Sequence, residues 1–147
     1  MDIRELEKLQ RFINDLPQKL KQAVELTVRR SAEKIQADLS TIFKTEGRSH
    51  GIDWAPLKEK YLKQKVKKGF SEKKLHRTTT LAQSFTYKIE DVYKALIGTP
   101  VPYSIYHEYG TRKMPARPFM QPAIEKFIKE NHIEKLFGMS FQEVLNG

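Results

Sequence analysis

Between Leu20 and Ile42 the chain carries a seam that leaves little choice of local structure. Leu20, Val24, Val28, Ser31, Ile35, Leu39 and Ile42 follow one another at intervals of 4, 4, 3, 4, 4 and 3. At about 100° per residue these positions share one face, and Lys, Arg, Glu and Gln fill the others. That is an amphipathic helix, held by burial of one stripe. Nothing interrupts it before Gly47. Upstream, Leu6, Leu9 and Ile13 (or Phe12) predict a shorter helix over 3–14. Asp15-Leu16-Pro17 is expected to separate the two, because proline suits a first helical turn and not a helix interior.

A different period takes over after residue 84. Phe85, Tyr87 and Ile89 alternate with Ser84, Thr86, Lys88 and Glu90, and Val92–Ile97 reads as a second strand stopped by Gly98-Thr99-Pro100. A tight turn near Asp91 makes the pair an antiparallel hairpin. Tyr103, Tyr106 and Tyr109 recur every third residue in a segment that suits a short helix closed by Gly110. Met114-Pro-Ala-Arg-Pro-Phe119 must be extended, since the residue before each proline is pushed out of the helical region. A helix is expected over about 121–136, and Gly138 is expected to divide it from an amphipathic tail at 137–147.

The element order predicts one α+β domain over 1–147, with a long N-terminal helix packed on a small antiparallel sheet built around the hairpin, and a C-terminal helix. Its parts are a helical 1–43, a basic loop with a short helix over 44–80, the hairpin, short helix, extended segment and helix over 81–136, and the tail. At 147 residues the chain is long enough for a true core and too short to need a second. The absence of cysteine excludes a disulfide scaffold and a thiolate nucleophile. No apolar run approaches the roughly 18 residues of a membrane helix. The first residues are charged at once, unlike a secretory signal. The expectation is a soluble, intracellular protein with no membrane partner.

Charge is concentrated. The chain carries a formal +9, and residues 44–80 hold 11 basic side chains against 4 acidic ones. Within that stretch Trp54, Leu57, Tyr61 and Val66 stand near helical spacing after Pro56, which predicts a short helix over about 56–66. The lysine-rich remainder supports three readings: a backbone-tracking nucleic-acid contact over 58–77, a loop ordered by a protein partner, or a solvated face. Sequence-specific readers present Arg, Asn or Gln to base edges, whereas this run is nearly all Lys.

No catalytic or cofactor pattern is present in the sequence. There is no phosphate loop and no Gly-x-Ser-x-Gly elbow, and the four histidines (50, 76, 107 and 132) lack ligand spacing. The expectation is therefore no enzyme, no cofactor and no metal. Pro-Ala-Arg-Pro-Phe presents Arg117 between two stiff residues. That suits bidentate contact with carboxylates or backbone carbonyls. Alternatively Arg117 pairs internally with Glu108 or Glu125 and Phe119 fills the core. Trp54 is either a core plug or an interface anchor.

Taken in order, several motifs resemble one family. They are Trp54-Ala-Pro-Leu57, Tyr61 and Lys65, and Thr80-Leu-Ala-Gln-Ser84 opening the hairpin. Then come Gly98-Thr99, Tyr103-Ser-Ile-Tyr-His107-Glu108-Tyr109-Gly110-Thr111, Met114-Pro-Ala-Arg-Pro-Phe119 and Pro122-Ala123. This order is similar to the tail-completion and virion-morphogenesis proteins of tailed bacteriophages and prophages, also described as neck, head–tail joining or minor tail proteins. The resemblance spans about 54–123. It departs at Thr79-Thr80-Leu81, where the family usually has glycine before the leucine, and in the density of the lysine run. It implies a non-enzymatic assembly protein of the virion neck or tail, assembled in the bacterial cytoplasm. It implies a ring subunit around the DNA channel, with copies of itself (as in a hexamer) and neighbouring tail or head-connector proteins as partners. The residues expected at assembly interfaces are Trp54, Lys63, Lys65, Lys67, Lys68, Tyr109, Gly110, Arg117 and Phe119. The alternative is a basic nucleic-acid-binding module acting through 58–77.

Overall fold

The computed structural model describes residues 2–56, 58–69 and 81–147. Its order is α1 (Ile3–Thr45), a 3₁₀ turn (Arg48–His50), α2 (Glu59–Lys67), β1 (Thr86–Asp91), β2 (Lys94–Gly98), α3 (Ser104–Tyr109), α4 (Met120–Lys129) and α5 (His132–Asn146). The fold is α+β, with the hairpin laid against the long helix as the element order predicts.

The helix is real, although of the expected seam only Leu39 and Ile42 are buried. Leu20 is exposed, and Ala23, Thr27 and Ala32 take the buried positions upstream. The helix is also longer than the break at Asp15-Leu16-Pro17 suggests. It starts at an Asp2–Glu5 capping box and runs unbroken through Pro17. A proline inside a helix forfeits one i→i−4 hydrogen bond. Pro17 is exposed, as is Ile13, whose carbonyl loses its donor, so water can take the donor's place. The helix ends where Glu46 and Gly47 both take left-handed backbone (φ 54° and 90°). Gly47 is required there: a Cβ would stand 2.7 Å from the Ile52 carbonyl oxygen.

The C-terminal end of α1 supplies the core. Leu39, Ile42 and Phe43 meet Trp54, Leu81, Phe85, Phe119 and Ala123. Four rings interlock: the Phe43 centroid lies 5.4 Å from Trp54, 5.7 Å from Phe85 and 5.3 Å from Phe119, and Phe85 stands edge-on to Phe119 at 5.3 Å. Such pairs contribute about 0.5–1.5 kcal/mol each beyond the area they bury. Further along, Ala23, Thr27 and Ala32 are the buried positions, and α5 packs beside them, tied by Arg30 donating to Ser140 Oγ at 3.0 Å and Glu143 at 2.6 Å.

The hairpin pairs Thr86 with Gly98 through Ile89 with Ala95, and a bulge shifts the register before Asp91 meets Lys94. The turn falls on Val92 and Tyr93, one step later than the sequence suggests, because Asp91 Oδ1 accepts from the Tyr93 N–H at 2.7 Å. Tyr87, Ile89, Ala95 and Ile97 are half-buried toward α1, as alternation requires. An isolated two-stranded ribbon is marginal in water, and α1 is what makes this one stable. Gln36 donates to the Phe85 carbonyl at 2.8 Å and Tyr87 Oη donates to Glu33 at 2.9 Å.

Two expectations at the C-terminal end are corrected. The helix expected over 121–136 stops at Lys129, and a new one begins at His132. The divider is Asn131, whose left-handed φ of 55° turns the chain. Gly138, expected to end a helix, lies inside α5 with open space around its α-carbon. The short helix after Pro56 is present as α2. The Thr79-Thr80 departure and most of the 67–80 loop lie outside the described residues.

Candidate functional site

Two of the motif segments, distant in the chain, meet at one junction: 54–56 and 107–121. Trp54 Nε1 donates to the Pro118 carbonyl at 2.8 Å. Arg117 reaches back in the other direction. Its Nε donates to the Ala55 carbonyl at 3.0 Å and one terminal nitrogen donates to the Pro56 carbonyl at 3.3 Å. Of the two chemistries expected for Arg117, its fork takes backbone carbonyls, within the same chain. The flanking prolines suit this: with φ preset on both sides, little entropy is lost in aiming the side chain.

Glu108 does the matching work for donors. Its Oε2 accepts from the Phe119 and Met120 N–H groups at 2.8 and 3.1 Å, and Oε1 accepts from Gln121 at 3.0 Å. These are the free N–H groups of the first turn of α4, so a carboxylate on α3 caps α4 in three dimensions. Between them the chain reverses tightly. Gly110 closes α3 with its N–H on the Tyr106 carbonyl at 2.8 Å and a φ of 76°. A Cβ there would meet the Ala116 nitrogen at 2.8 Å. Thr111 and Met114 bridge, and the Arg117 N–H donates to the His107 carbonyl at 2.7 Å.

His107 sits behind this junction, with its ring edge-on to Tyr103 at 5.7 Å and a buried Nδ1 that lacks a hydrogen-bond partner. Burial, and then the nearby Arg117 charge, hold its pKa below the usual histidine value. His50 is likewise lowered, first by burial and then by Lys126, with Asp38 and Glu130 opposing. Among the described residues, no group of three or more His, Asp or Glu is placed to hold a metal ion. None of the described helices is long and apolar enough to cross a membrane.

The junction uses the inner face of α3 and presents the outer one. Ile105, Tyr106 and Tyr109 are exposed, Tyr109 to 76%. Trp54, Arg117 and Phe119 are each 5% exposed or less. On α2 and its C-cap, Lys63, Lys67 and Lys68 are exposed, whereas Lys65 is buried. Apart from Lys65, buried on α2, the residues named from the sequence fall into two sets in different places. One closes the junction and the other faces solvent. Ile105 and Tyr106 belong with Tyr109. The three-residue spacing of the tyrosines was the visible signal for them, but which side of α3 faces inward depends on Glu108 and His107 meeting the distant 115–121 segment.

Comparison with known proteins gives two matches. The model of the phage virion morphogenesis family matches residues 4–135. An uncharacterised protein of the archaeon Methanocaldococcus jannaschii is 34% identical over 84 residues, which cover 54% of this chain and 62% of that protein. The chain thus spans under two thirds of that relative's length. No solved structure matches.

Proposed function

Because the chain belongs to the phage virion morphogenesis family and so has a structural role in virion assembly, we propose that it completes the tail or joins head to tail as a ring subunit around the DNA channel. The observation that carries this reading is the division of the Tyr103–Phe119 motif. Its polar and aromatic residues with internal partners lock a rigid junction, and the same junction holds three large apolar side chains out in water. A monomer gains nothing by displaying Ile105, Tyr106 and Tyr109 side by side, whereas tyrosine-rich patches on rigid elements are the usual centres of protein contacts.

A ring needs two unlike faces that meet head to tail. The α3 face is the apolar one. The exposed lysines of α2 and its C-cap (Lys63, Lys67 and Lys68) offer the second, suited to an acidic neighbour or to passing DNA. Light scattering at low and moderate salt tests this. A salt-resistant hexamer or larger ring that Tyr106→Ser/Tyr109→Ser reduces to smaller species supports the reading. Tight duplex DNA binding that collapses with salt, with no defined oligomer, favours the nucleic-acid module instead.

A further inference from the structure

The N-terminal part of α1 is not covered by any part of the described chain. Leu6, Leu9, Ile13, Leu16 and Leu20 follow at intervals of 3, 4, 3 and 4, and Ala23 and Thr27 continue the same repeat. This is a heptad seam, the pattern of helices that pair along their length. Ala23 and Thr27 are buried where α5 runs alongside, and Val144 there shares a groove with Gln22 and Leu26. Towards Ile3 the seam emerges from beneath α5 and stays bare. Ile3, Leu6, Leu9, Phe12, Ile13 and Leu20 are between 39 and 71% exposed, and only Leu16 among the seam leucines is half-buried. The bare stretch, 18 residues from Ile3 to Leu20, is about 27 Å long. Isolated apolar residues on a surface need no explanation; a contiguous stripe in register with a buried interface does.

We propose that residues 3–20 of α1 pair with the same segment of a second copy, antiparallel, as a two-fold helix pair. The charges choose the occupant and its direction. Acidic side chains outnumber basic ones at one end of the arm (Asp2, Glu5 and Glu7 against Arg4), and basic ones outnumber acidic toward the other (Lys8, Arg11, Lys19 and Lys21 against Asp15). Glu5 and Lys19 both occupy the position that immediately precedes a seam residue, the flank where charges cross between paired helices. Opposed antiparallel with Leu6 against the partner's Leu16 and Leu9 against the partner's Ile13, the register brings Glu5 beside the partner's Lys19 at both ends. It also brings Phe12 beside its own symmetry mate. Parallel pairing offers no such complement, because it sets Glu5 opposite Gln10 and Lys19 opposite Val24.

The contact is short, about two and a half heptads, so it belongs with weak, reversible interfaces. It is also isologous and closes on itself, which leaves the α3 and α2 faces free for other contacts. It stands or falls apart from the proposed place in the virion.

The chain has no cysteine, so introduced thiols report unambiguously. Sedimentation equilibrium of the intact protein from about 5 to about 500 µM should show the mass rising from 17.2 kDa toward twice that value. Leu9→Glu/Ile13→Glu should abolish the rise, and circular dichroism should show that the exposed substitutions leave the fold intact. Under mild oxidation, protein carrying Leu6→Cys and protein carrying Leu16→Cys should cross-link to each other when mixed, and neither should cross-link with itself. A monomer at the highest concentration overturns the proposal. So does an association that Leu9→Glu/Ile13→Glu leaves unchanged, or efficient self-cross-linking of Leu6→Cys, which marks a parallel pair.

Discussion

Trp54 and Pro118 lie 64 residues apart in the chain and share a 2.8 Å hydrogen bond, the indole N–H donating to a carbonyl that proline's neighbours leave at the edge of the core. The bond fastens the segment after α1 to the segment before α4, and Arg117 ties the same two segments from the opposite side. The junction is therefore a reciprocal clasp, and removing either half leaves carbonyls at the edge of the core without their side-chain donor.

Trp54→Phe keeps the ring but loses the donor and some volume, and it is expected to cost about 2–3 kcal/mol. Arg117→Lys keeps the charge but cannot serve the Ala55 and Pro56 carbonyls with one planar fork, and it should cost about 2 kcal/mol or more. Urea unfolding of each variant gives the numbers. A loss under about 0.5 kcal/mol for Arg117→Lys would show that the fork is not needed.

Glycines at 110 and 138 should respond in opposite directions. Gly110→Ala combines a left-handed φ with a Cβ 2.8 Å from the Ala116 nitrogen, and it should destabilise by at least about 2 kcal/mol. Gly138 is inside α5 with open space around it, so Gly138→Ala should stabilise by roughly 0.5–1 kcal/mol. Thermal unfolding of the two variants side by side checks both signs.

Glu108→Ala strips three N–H groups at the start of α4 of their acceptor. A buried donor without a partner costs about 1–3 kcal/mol, and Phe119 is the buried one of the three while Gln121 can turn to water. Glu108→Gln, which retains one carbonyl oxygen, should recover part of the loss. Faster amide hydrogen exchange at Phe119, Met120 and Gln121 in the alanine variant is the local signature, and unchanged protection there contradicts the capping role.

Stability should fall as the solution is acidified, beginning below about pH 6.5. In the unfolded chain His107 and His50 take up a proton near 6.5. In the folded protein burial holds both below that value. Between the two values the unfolded state binds more protons, so stability declines as pH falls through that window; above it both states are neutral and the histidines contribute no slope. The unfolding free energy measured from about pH 8 to pH 5 should be level and then drop. Replacing both histidines by glutamine should flatten the upper part of the drop.

Tyr106→Ser/Tyr109→Ser tests the exposed face of α3 rather than the fold. Both side chains are in water, so stability should stay within about 0.5 kcal/mol of the parent. Any self-assembly or partner capture that runs through α3 should be lost, as light scattering and co-sedimentation with neighbouring virion proteins measure.

Periodic elements were legible in the residues because a period states the type of element. The helical α1, the alternation of the hairpin and the Gly110 stop on α3 all follow from neighbours within a few positions. Which positions of α1 are fully buried (Ala23, Thr27 and Ala32 rather than Leu20, Val24 and Val28) was set instead by α5 packing alongside. Where the local signal was a helix breaker, the tertiary structure decided. Pro17 remains inside α1 because the lost hydrogen bond faces water. Gly138 remains inside α5 for want of any tertiary reason to stop, and Asn131 turns the chain instead by accepting a left-handed φ. The motif of Trp54, Glu108, Gly110, Arg117 and Phe119 could be read as a list, and its order placed the chain in its family. Which of those residues hold the junction depended on partners some 60 positions away, since a hydrogen bond between Arg117 and the Ala55 carbonyl exists only once the core has brought them together. The sequence by itself determined the elements and the chemistry available to them. Only the tertiary structure decided which side chains that chemistry consumes inside and which, like Tyr109 and the bare seam of α1, it leaves for another molecule, because burial is a property of the packed chain.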